Sequence, residues 1–139
     1  MTENIRKTTF PHLQIQIEVY CKVNPTESED VISKAINLIL EGITLEFKYG
    51  DRIVGQSGNL KVLSTIYNQV RDRSTTSVLR RILLSHLDQS STWFYINKQV
   101  STMGIIVLVD DEFESPLGPI RIYLKSNDID RVIEWLCPE

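Results

Sequence analysis

The residue types that most enzymes use for acid–base or nucleophilic chemistry are sparse in this chain. Its 139 residues include two histidines, His12 and His86, and two cysteines, Cys21 and Cys137, which stand far apart without a CxxC spacing. No serine or cysteine lies in a nucleophile-elbow pattern, and the spacings do not suggest a catalytic triad. His86 is expected at a helix C-terminus, where the helix dipole favours a histidine for structural reasons. We therefore predict a non-enzymatic protein with no catalytic residues, no cofactor and no metal site.

A short acidic segment carries clustered carboxylates. Four of its residues could offer oxygen ligands to a hard cation: Asp110, Asp111, Glu112 and Glu114. The segment lacks the Asp-x-Asp-x-Asp-Gly pattern of a dedicated calcium loop, so the sequence favours solvated loop charges. A metal-dependent nuclease would need such carboxylates to face a basic groove, and that alternative stays open.

Two glycines mark a turn between a predicted strand and a predicted helix. In Gly55-Gln56-Ser57-Gly58, backbone N–H groups could approach an anion at the start of the helix. The segment is not a P-loop, because no Lys-Ser/Thr follows, and it does not join two helices as the GxxG clamp of KH domains does. We predict an anion-binding turn at Gly55, Ser57 and Gly58. A simple turn with a helix cap is the alternative.

A positively charged segment occupies the middle of an otherwise acidic chain. The formal net charge is −3, but residues 52–98 carry seven Lys or Arg and two Asp, a net of +5. Helical spacing places Arg80 and Arg81 away from an apolar stripe, with Arg73 just upstream, and Lys98 follows an aromatic strand. Cationic groups on one surface suit RNA phosphates, so we predict phosphate contacts by these four residues. A solvated helix surface is the alternative.

The aromatic strand before Lys98 adds a second feature that single-stranded RNA uses. Trp93 or Tyr95 could present a solvent-facing ring on which a base stacks, although one face of the strand must be core. Exposed aromatic residues could equally bury against a second copy of the chain, so a homodimer is also an open interpretation.

The elements that must position these residues follow from periodicity. Residues 13–23 alternate apolar and polar types, as expected for a strand with one buried face. Thr26-Glu27-Ser28-Glu29 fits a capping box for the helix that ends at Gly42. Further strands are predicted at 43–49, 52–55, 93–96, 105–109 and 120–124, and further helices at about 60–70, 74–87, 97–103 and 127–136.

Several of these strands are joined by short turns, which give antiparallel pairing. The composition is that of an ordinary folded protein, with 42% hydrophobic and 24% charged residues. We predict one α+β domain over residues 1–139, mainly an antiparallel sheet with helices packed on one face, and residues 1–12 as a loose N-terminal tail. The N-terminal segment has no apolar run typical of a signal peptide, so we expect a cytoplasmic protein without a membrane span.

Four local strings, in order, resemble a family of uncharacterised archaeal proteins described as predicted RNA-binding proteins. They are Val23-Asn24-Pro25-Thr26-Glu27, Phe94-Tyr95-Ile96-Asn97-Lys98-Gln99, Pro116-Leu117-Gly118-Pro119-Ile120 and Ile133-Glu134-Trp135-Leu136-Cys137-Pro138. The resemblance implies a fold like that of the large-subunit ribosomal protein five and a link to RNA processing, beside the exosome. The chain departs from the family at Asp88-Gln89-Ser90-Ser91, which is less basic, and at Cys137, where a small residue is usual.

Together these observations predict a non-enzymatic RNA-associated domain, with RNA, RNA-processing proteins or a second copy of the chain as partners. The alternative is a protein-interaction or homodimeric assembly module that binds no nucleic acid.

Overall fold

The alternating segment near the N-terminus forms the central strand of a sheet. In the computed structural model, which describes residues 10–139, Ile17, Val19 and Cys21 are buried while the residues between them are exposed. Residues 1–9 of the predicted tail lie outside the described residues. The strands are β1 (Gln16–Lys22), β2 (Thr44–Lys48), β3 (Arg52–Ser57), β4 (Ser91–Ile96), β5 (Leu108–Val109) and β6 (Ile120–Lys125). The helices are α1 (Glu29–Ile39), α2 (Ser64–Asp72), α3 (Thr76–Ser85), α4 (Lys98–Ser101) and α5 (Ile129–Leu136), with a 3-10 helix at Leu60–Leu63.

The six strands form one sheet in the order β2-β3-β1-β6-β4-β5, and every neighbouring pair is antiparallel. Short turns join β2 to β3, whereas the β1–β6 and β4–β6 pairs bring distant parts of the chain together. The prediction of an α+β domain with a mainly antiparallel sheet is therefore confirmed.

One hydrophobic core lies between the helices and a single face of the sheet. The strands contribute fully buried side chains such as Ile53, Phe94 and Ile122, and the helices contribute residues such as Leu63 and Leu79. In α5 the buried positions recur at helical spacing: Ile129, Val132, Ile133 and Leu136. Burying one such apolar side chain contributes roughly 1.5–3 kcal/mol. Across residues 10–139, no helix combines the length and apolar character that crossing a bilayer requires.

Three local predictions differ from the structure. Strand β3 continues to Ser57 instead of ending at Gly55, and β5 uses two residues of the predicted strand at 105–109. The cap of α1 is Ser28, whose hydroxyl accepts from the Val31 amide at 3.3 Å, and not Thr26. The capping-box prediction is wrong because α1 begins at Glu29, which places Ser28 and not Thr26 at the N-cap. Glu27, inside the predicted box, instead has a partner elsewhere in the chain.

That partner is Lys98, whose side chain is 2% exposed. Its ammonium group donates to the Lys22 carbonyl at 2.8 Å, the Leu117 carbonyl at 2.7 Å and Glu27 Oε1 at 2.9 Å. The Asn24 side-chain amide adds bonds to Glu27 Oε1 at 2.7 Å and to the Leu117 carbonyl at 3.0 Å. All three ammonium protons are used, so this network joins the end of β1, the loop before α1, the β5–β6 loop and α4.

Hydrogen bonding holds Glu27 in its charged form. Burial alone would raise the pKa of this carboxyl, but bonds from the Asn24 backbone amide, Lys98 and the Asn24 side chain outweigh it and lower the pKa below its ordinary value. Cys21 lies near the same pair, and burial raises the pKa of its thiol to about 11, so it remains protonated at neutral pH.

Replacing Lys98 by Met should lower the free energy of unfolding by about 3–5 kcal/mol, because it leaves the Glu27 carboxylate without its cation. Urea denaturation monitored by circular dichroism measures this. Lys34→Met is the matched control, because its ion pair with Asp30 is exposed and should contribute less than about 1 kcal/mol. Equal losses in the two variants would contradict the structural role of Lys98, and Lys98→Met with Glu27→Gln should recover part of the loss.

Glu27 should also give the protein an acid-sensitive contribution to stability. A carboxyl whose pKa is lower in the folded state stabilises the fold above its unfolded pKa, near 4.5, and this stabilisation is lost as pH falls through the folded value. The free energy of unfolding of Glu27→Gln should therefore fall less steeply below pH 4.5 than that of the wild type. Identical pH profiles in urea titrations would contradict this.

Candidate nucleic-acid interface

The sheet face opposite the helices carries an ordered array of polar and aromatic side chains. Strand register sets these residues in cross-strand rows, because directly opposed residues share a face. One row runs Glu46, Val54, Tyr20, Arg121 and Tyr95 across β2, β3, β1, β6 and β4. The next runs Thr44, Gln56, Glu18, Tyr123 and Trp93 across the same strands. We call this surface the open face.

Arg121 lies at the centre of the aromatic part of the open face. Its guanidinium carbon lies 4.9 Å from the ring centroid of Trp93, 5.1 Å from that of Tyr95 and 5.4 Å from that of Tyr123. Guanidinium N–H groups donate to the Tyr95 hydroxyl at 2.6 Å and to the Tyr123 hydroxyl. Cation–π attraction and these two bonds hold the guanidinium in place.

Arg121 keeps its positive charge available. Within residues 10–139, no carboxylate lies within 4 Å of its guanidinium. Burial alone would lower its pKa, but the bond to Tyr95 and the proximity of Tyr123 outweigh burial and raise it. An arginine has five N–H donors, so several stay free for an anionic ligand.

The aromatic residues of the open face differ in how accessible they are. His86 stacks on Trp93, with ring centroids 3.6 Å apart and planes 5° apart, and its Nδ1 lies 2.9 Å from the Trp93 carbonyl oxygen. Because that carbonyl can only accept, Nδ1 carries the proton. Tyr95 is 5% exposed. The expectation that Trp93 or Tyr95 offers a free stacking ring is therefore wrong, since His86 covers one and burial removes the other.

Tyr20 and Tyr123 are the accessible rings. Tyr20 is 38% exposed and Tyr123 is half-buried. Both line an open groove of about 820 Å³, together with Arg121 and the carboxylates of Glu18 and Glu46. Five basic side chains stand on the open face against those two acidic ones: Lys22, Lys48, Arg52, Arg121 and Lys125.

The predicted phosphate contacts do not form one patch. The prediction that Lys98 contacts phosphate is wrong, because this side chain is buried and all its N–H donors are used inside the protein. Arg80 donates at 3.1 Å both to Glu134 Oε1 and to the Cys137 carbonyl, which ties it to the end of α5. Arg71 also serves α5, with bonds to the Trp135 carbonyl at 3.0 Å and the Leu136 carbonyl at 2.9 Å.

Arg73 and Arg81 are exposed and line different clefts. Arg80 and Arg81 line one cleft on the helix layer, whereas Arg73 lines a separate one against residues 106–108. Arg81 has Asp110 Oδ1 at 3.7 Å. A contact of Arg73 or Arg81 with phosphate stays a prediction without a shared surface to support it.

The glycine segment is a strand followed by a turn. Gly55 pairs with Val19 and Leu45 inside the sheet, so its assignment to an anion-binding turn is wrong. In the turn itself, the Ser57 hydroxyl accepts from the Asn59 amide at 3.1 Å, and the Asn59 side chain accepts from the Lys61 amide at 3.0 Å. Two of the amides that could meet an anion there, those of Asn59 and Lys61, therefore already have partners.

The acidic loop uses its carboxylates on its own backbone. Glu114 Oε1 accepts from the amides of Asp110 and Asp111, at 2.9 Å and 3.1 Å, and Asp111 Oδ1 accepts from the Phe113 amide at 2.8 Å. No group of three His, Cys, Asp or Glu side chains among residues 10–139 converges as a metal-ion site.

Comparison with known proteins identifies the family. The chain is 33% identical over 129 residues to a UPF0201 protein of Sulfurisphaera tokodaii, covering 91% of this chain and 88% of that protein. It is also 33% identical over 125 residues to a UPF0201 protein of Methanothermobacter thermautotrophicus, covering 89% and 92%. The chain belongs to the UPF0201 family. Its predicted membership of an uncharacterised archaeal family is thereby confirmed, although no protein-family model matches the chain.

A solved structure of an uncharacterized UPF0201 protein has the same fold. It is 27% identical to this chain, superposes with a TM-score of 0.77 and covers 89% of this chain and 94% of its own. The four sequence strings that carry the family resemblance contribute hydrogen bonds that hold the fold together. Asn24, Glu27, Lys98 and Leu117 come from three of them and meet in the Lys98 network, and the fourth string receives the bonds from Arg71 and Arg80.

The site residues predicted from the sequence do not include those of the groove. Tyr20, Arg121 and Tyr123 lie at polar positions of alternating strands, and strand β6 reads Ile-Arg-Ile-Tyr-Leu-Lys. Alternation with outward-facing tyrosine and arginine is the signal that could have identified them. Only the pairing of β1 with β6 shows that these side chains are neighbours.

Gly55→Ala should destabilise the fold by about 1–3 kcal/mol, because an added Cβ would lie 2.6 Å from both Leu45 Cδ2 and the Thr44 carbonyl oxygen. Gly58→Ala is the matched control, since its Cβ would meet only the Ile15 carbonyl oxygen at 3.6 Å and should change stability by less than about 0.5 kcal/mol. Thermal and urea unfolding measure both variants. A neutral Gly55→Ala would show that the β2–β3 pairing is looser than the structure has it.

Proposed function

We propose that this protein binds single-stranded RNA on the open face of its sheet and catalyses no reaction. The observation that carries the proposal is the Arg121 guanidinium, which is fixed among aromatic rings, lacks a carboxylate partner and faces an open groove. Single-stranded RNA is commonly held by cationic groups that meet phosphates and by aromatic rings that stack on bases.

Arg121 is suited to a phosphate because its position is set before binding. The tyrosine hydroxyls of Tyr95 and Tyr123 take two of its donors and orient the planar group. A guanidinium can offer a phosphate two parallel N–H donors, and little side-chain entropy remains to be lost. Of the five basic residues of the open face, Arg52 is paired with Asp51 at 2.8 Å, and the other four still exceed its two acidic ones, which adds a favourable potential for RNA.

Tyr20 and Tyr123 provide the stacking surface of the proposal. They lie on neighbouring strands at the groove, two register positions apart along the β1–β6 ladder. Stacking of a base on an aromatic ring contributes roughly 1–3 kcal/mol and does not depend strongly on the base.

The composition of the open face supports RNA over a second copy of the chain. The centres of protein interfaces are depleted of charged residues. This face instead has charged or amide side chains on each of its three central strands, including Glu18, Gln56 and Lys125. A homodimer that buried it would have to desolvate those groups. The homodimeric module therefore stays the second candidate and is tested by sedimentation of the free protein.

We also propose three properties that the family resemblance implies. They are a cytoplasmic location, a role in RNA processing beside other proteins, and kinship with the fold of ribosomal protein five.

Arg121→Gln should weaken binding of an unstructured RNA of about twelve nucleotides by about 10- to 100-fold, because a charged hydrogen bond contributes about 1.5–3 kcal/mol. The slope of log affinity against log salt should become shallower by about 0.7, the value for one lost phosphate contact on a single strand. Fluorescence anisotropy over a salt series measures both quantities.

Arg131→Gln is the control, since Arg131 is exposed on α5 in the helix layer and the charge change is the same. Arg81→Gln tests the helix surface in the same assay. Arg121→Lys is a further variant that keeps the positive charge. Circular dichroism checks that each variant is folded. If Arg81→Gln weakens binding and Arg121→Gln does not, the RNA surface is on the helices and the proposal fails.

A further inference from the structure

Four side chains at the centre of the groove form a square with alternating chemistry. Glu18 lies directly opposite Tyr123, and Tyr20 lies directly opposite Arg121, on adjacent antiparallel strands. The carboxylate and the guanidinium therefore occupy one diagonal, and the two phenol rings occupy the other. Diagonal neighbours on such a pair have Cβ atoms roughly 7–8 Å apart.

The two charges of this square do not neutralise each other. Arg121 bonds to tyrosine hydroxyls instead of to Glu18, and within residues 10–139 the Glu18 carboxylate has no hydrogen bond or ion pair. Glu18 is exposed at the groove. Its neighbour on the other side, Gln56, accepts from the Gln16 amide at 3.0 Å and shares no hydrogen bond with Glu18. Glu18 therefore offers two carboxylate oxygens that can only accept.

We propose, on the basis of the proposed function, that this square selects guanine in single-stranded RNA. A guanine stacked on Tyr20 or Tyr123 would donate its N1–H and N2–H groups to the Glu18 carboxylate, while a phosphate of the same strand binds Arg121. The acceptor end and the cationic end of the square thus meet the two ends of one nucleotide.

The choice of guanine follows from the hydrogen-bond groups on the bases. Guanine presents two adjacent N–H donors on its Watson–Crick edge, and an acceptor-only carboxylate matches both. Adenine and cytosine each place one amino group beside a ring-nitrogen acceptor, which a carboxylate repels. Uracil presents one N–H between two carbonyl oxygens. A well-placed bidentate contact discriminates between bases by roughly 1–3 kcal/mol.

The test compares RNAs that differ at one base. An RNA of about twelve nucleotides carries a single guanine among uracils, and in matched RNAs the guanine is replaced by inosine, which lacks the N2 amino group, or by adenine. We expect the wild type to bind the guanine RNA about tenfold more tightly than either. Free guanosine and inosine monophosphates, compared by calorimetry, give the same readout without the polymer.

Glu18→Gln separates base recognition from general electrostatics. Removing a negative charge should leave affinity for the adenine RNA unchanged or higher, while the preference for guanine over inosine disappears. Glu41→Gln, an exposed carboxylate in the turn before β2, carries the same charge change and should keep that preference. Circular dichroism confirms that both variants fold.

The outcomes distinguish this inference from the proposed function. RNA binding that depends on Arg121 but shows no preference for guanine, or a preference that survives Glu18→Gln, overturns the guanine inference and leaves RNA binding in place. Wild-type protein that binds none of the RNAs and neither monophosphate overturns both.

Discussion

The ammonium group of Lys98 is the point on which this arrangement depends, because it fixes one end of three neighbouring strands, β1, β6 and β4. Its bonds reach the last residue of β1, the loop that leads into β6 and the acid before α1, and Lys98 itself follows β4. A lysine that is 2% exposed is tolerated only when its charge is paired and its protons are all bonded. The row containing Tyr20, Arg121 and Tyr95 lies close to this end of the same three strands. The Lys98 network therefore joins the ends of the strands on which Arg121 meets its tyrosines.

The helix layer has a complementary effect, since it leaves the opposite face of the sheet in water. Alternation on β1 and β6 sends Ile17, Val19 and Ile122 into the core, so their neighbours must point away from it. An antiparallel sheet can pack one face on the core and leave the other exposed to water. Here that face combines arginine, tyrosine and glutamate in cross-strand rows, and the resulting surface suits a ligand with both charge and aromatic rings.

The sequence predicts the fold well because local signals are enough for it. The predicted strands and helices all appear in residues 10–139. The short turn between β2 and β3 correctly predicts that these two strands pair antiparallel. Details that depend on distant partners are not predicted in the same way. The role of Glu27 has no local signal because its partner Lys98 lies 71 residues away, and Gly55 was predicted as a turn although it is a strand residue whose missing side chain makes room for Leu45.

The candidate site shows why a count of charge along the chain is a poor guide to charge on a surface. Residues 52–98 carry a net charge of +5, but Lys98 is buried and hydrogen-bonded inside the protein. Arg71 and Arg80 donate to backbone carbonyls at the end of α5. The open face instead takes its cations from four strands, and each contributes only one or two. A long charged side chain goes where a buried acceptor or a carboxylate is within reach, and that is decided by tertiary contacts. Arg121 stands out because its contacts are hydroxyl groups and aromatic rings, which hold a guanidinium without cancelling its charge.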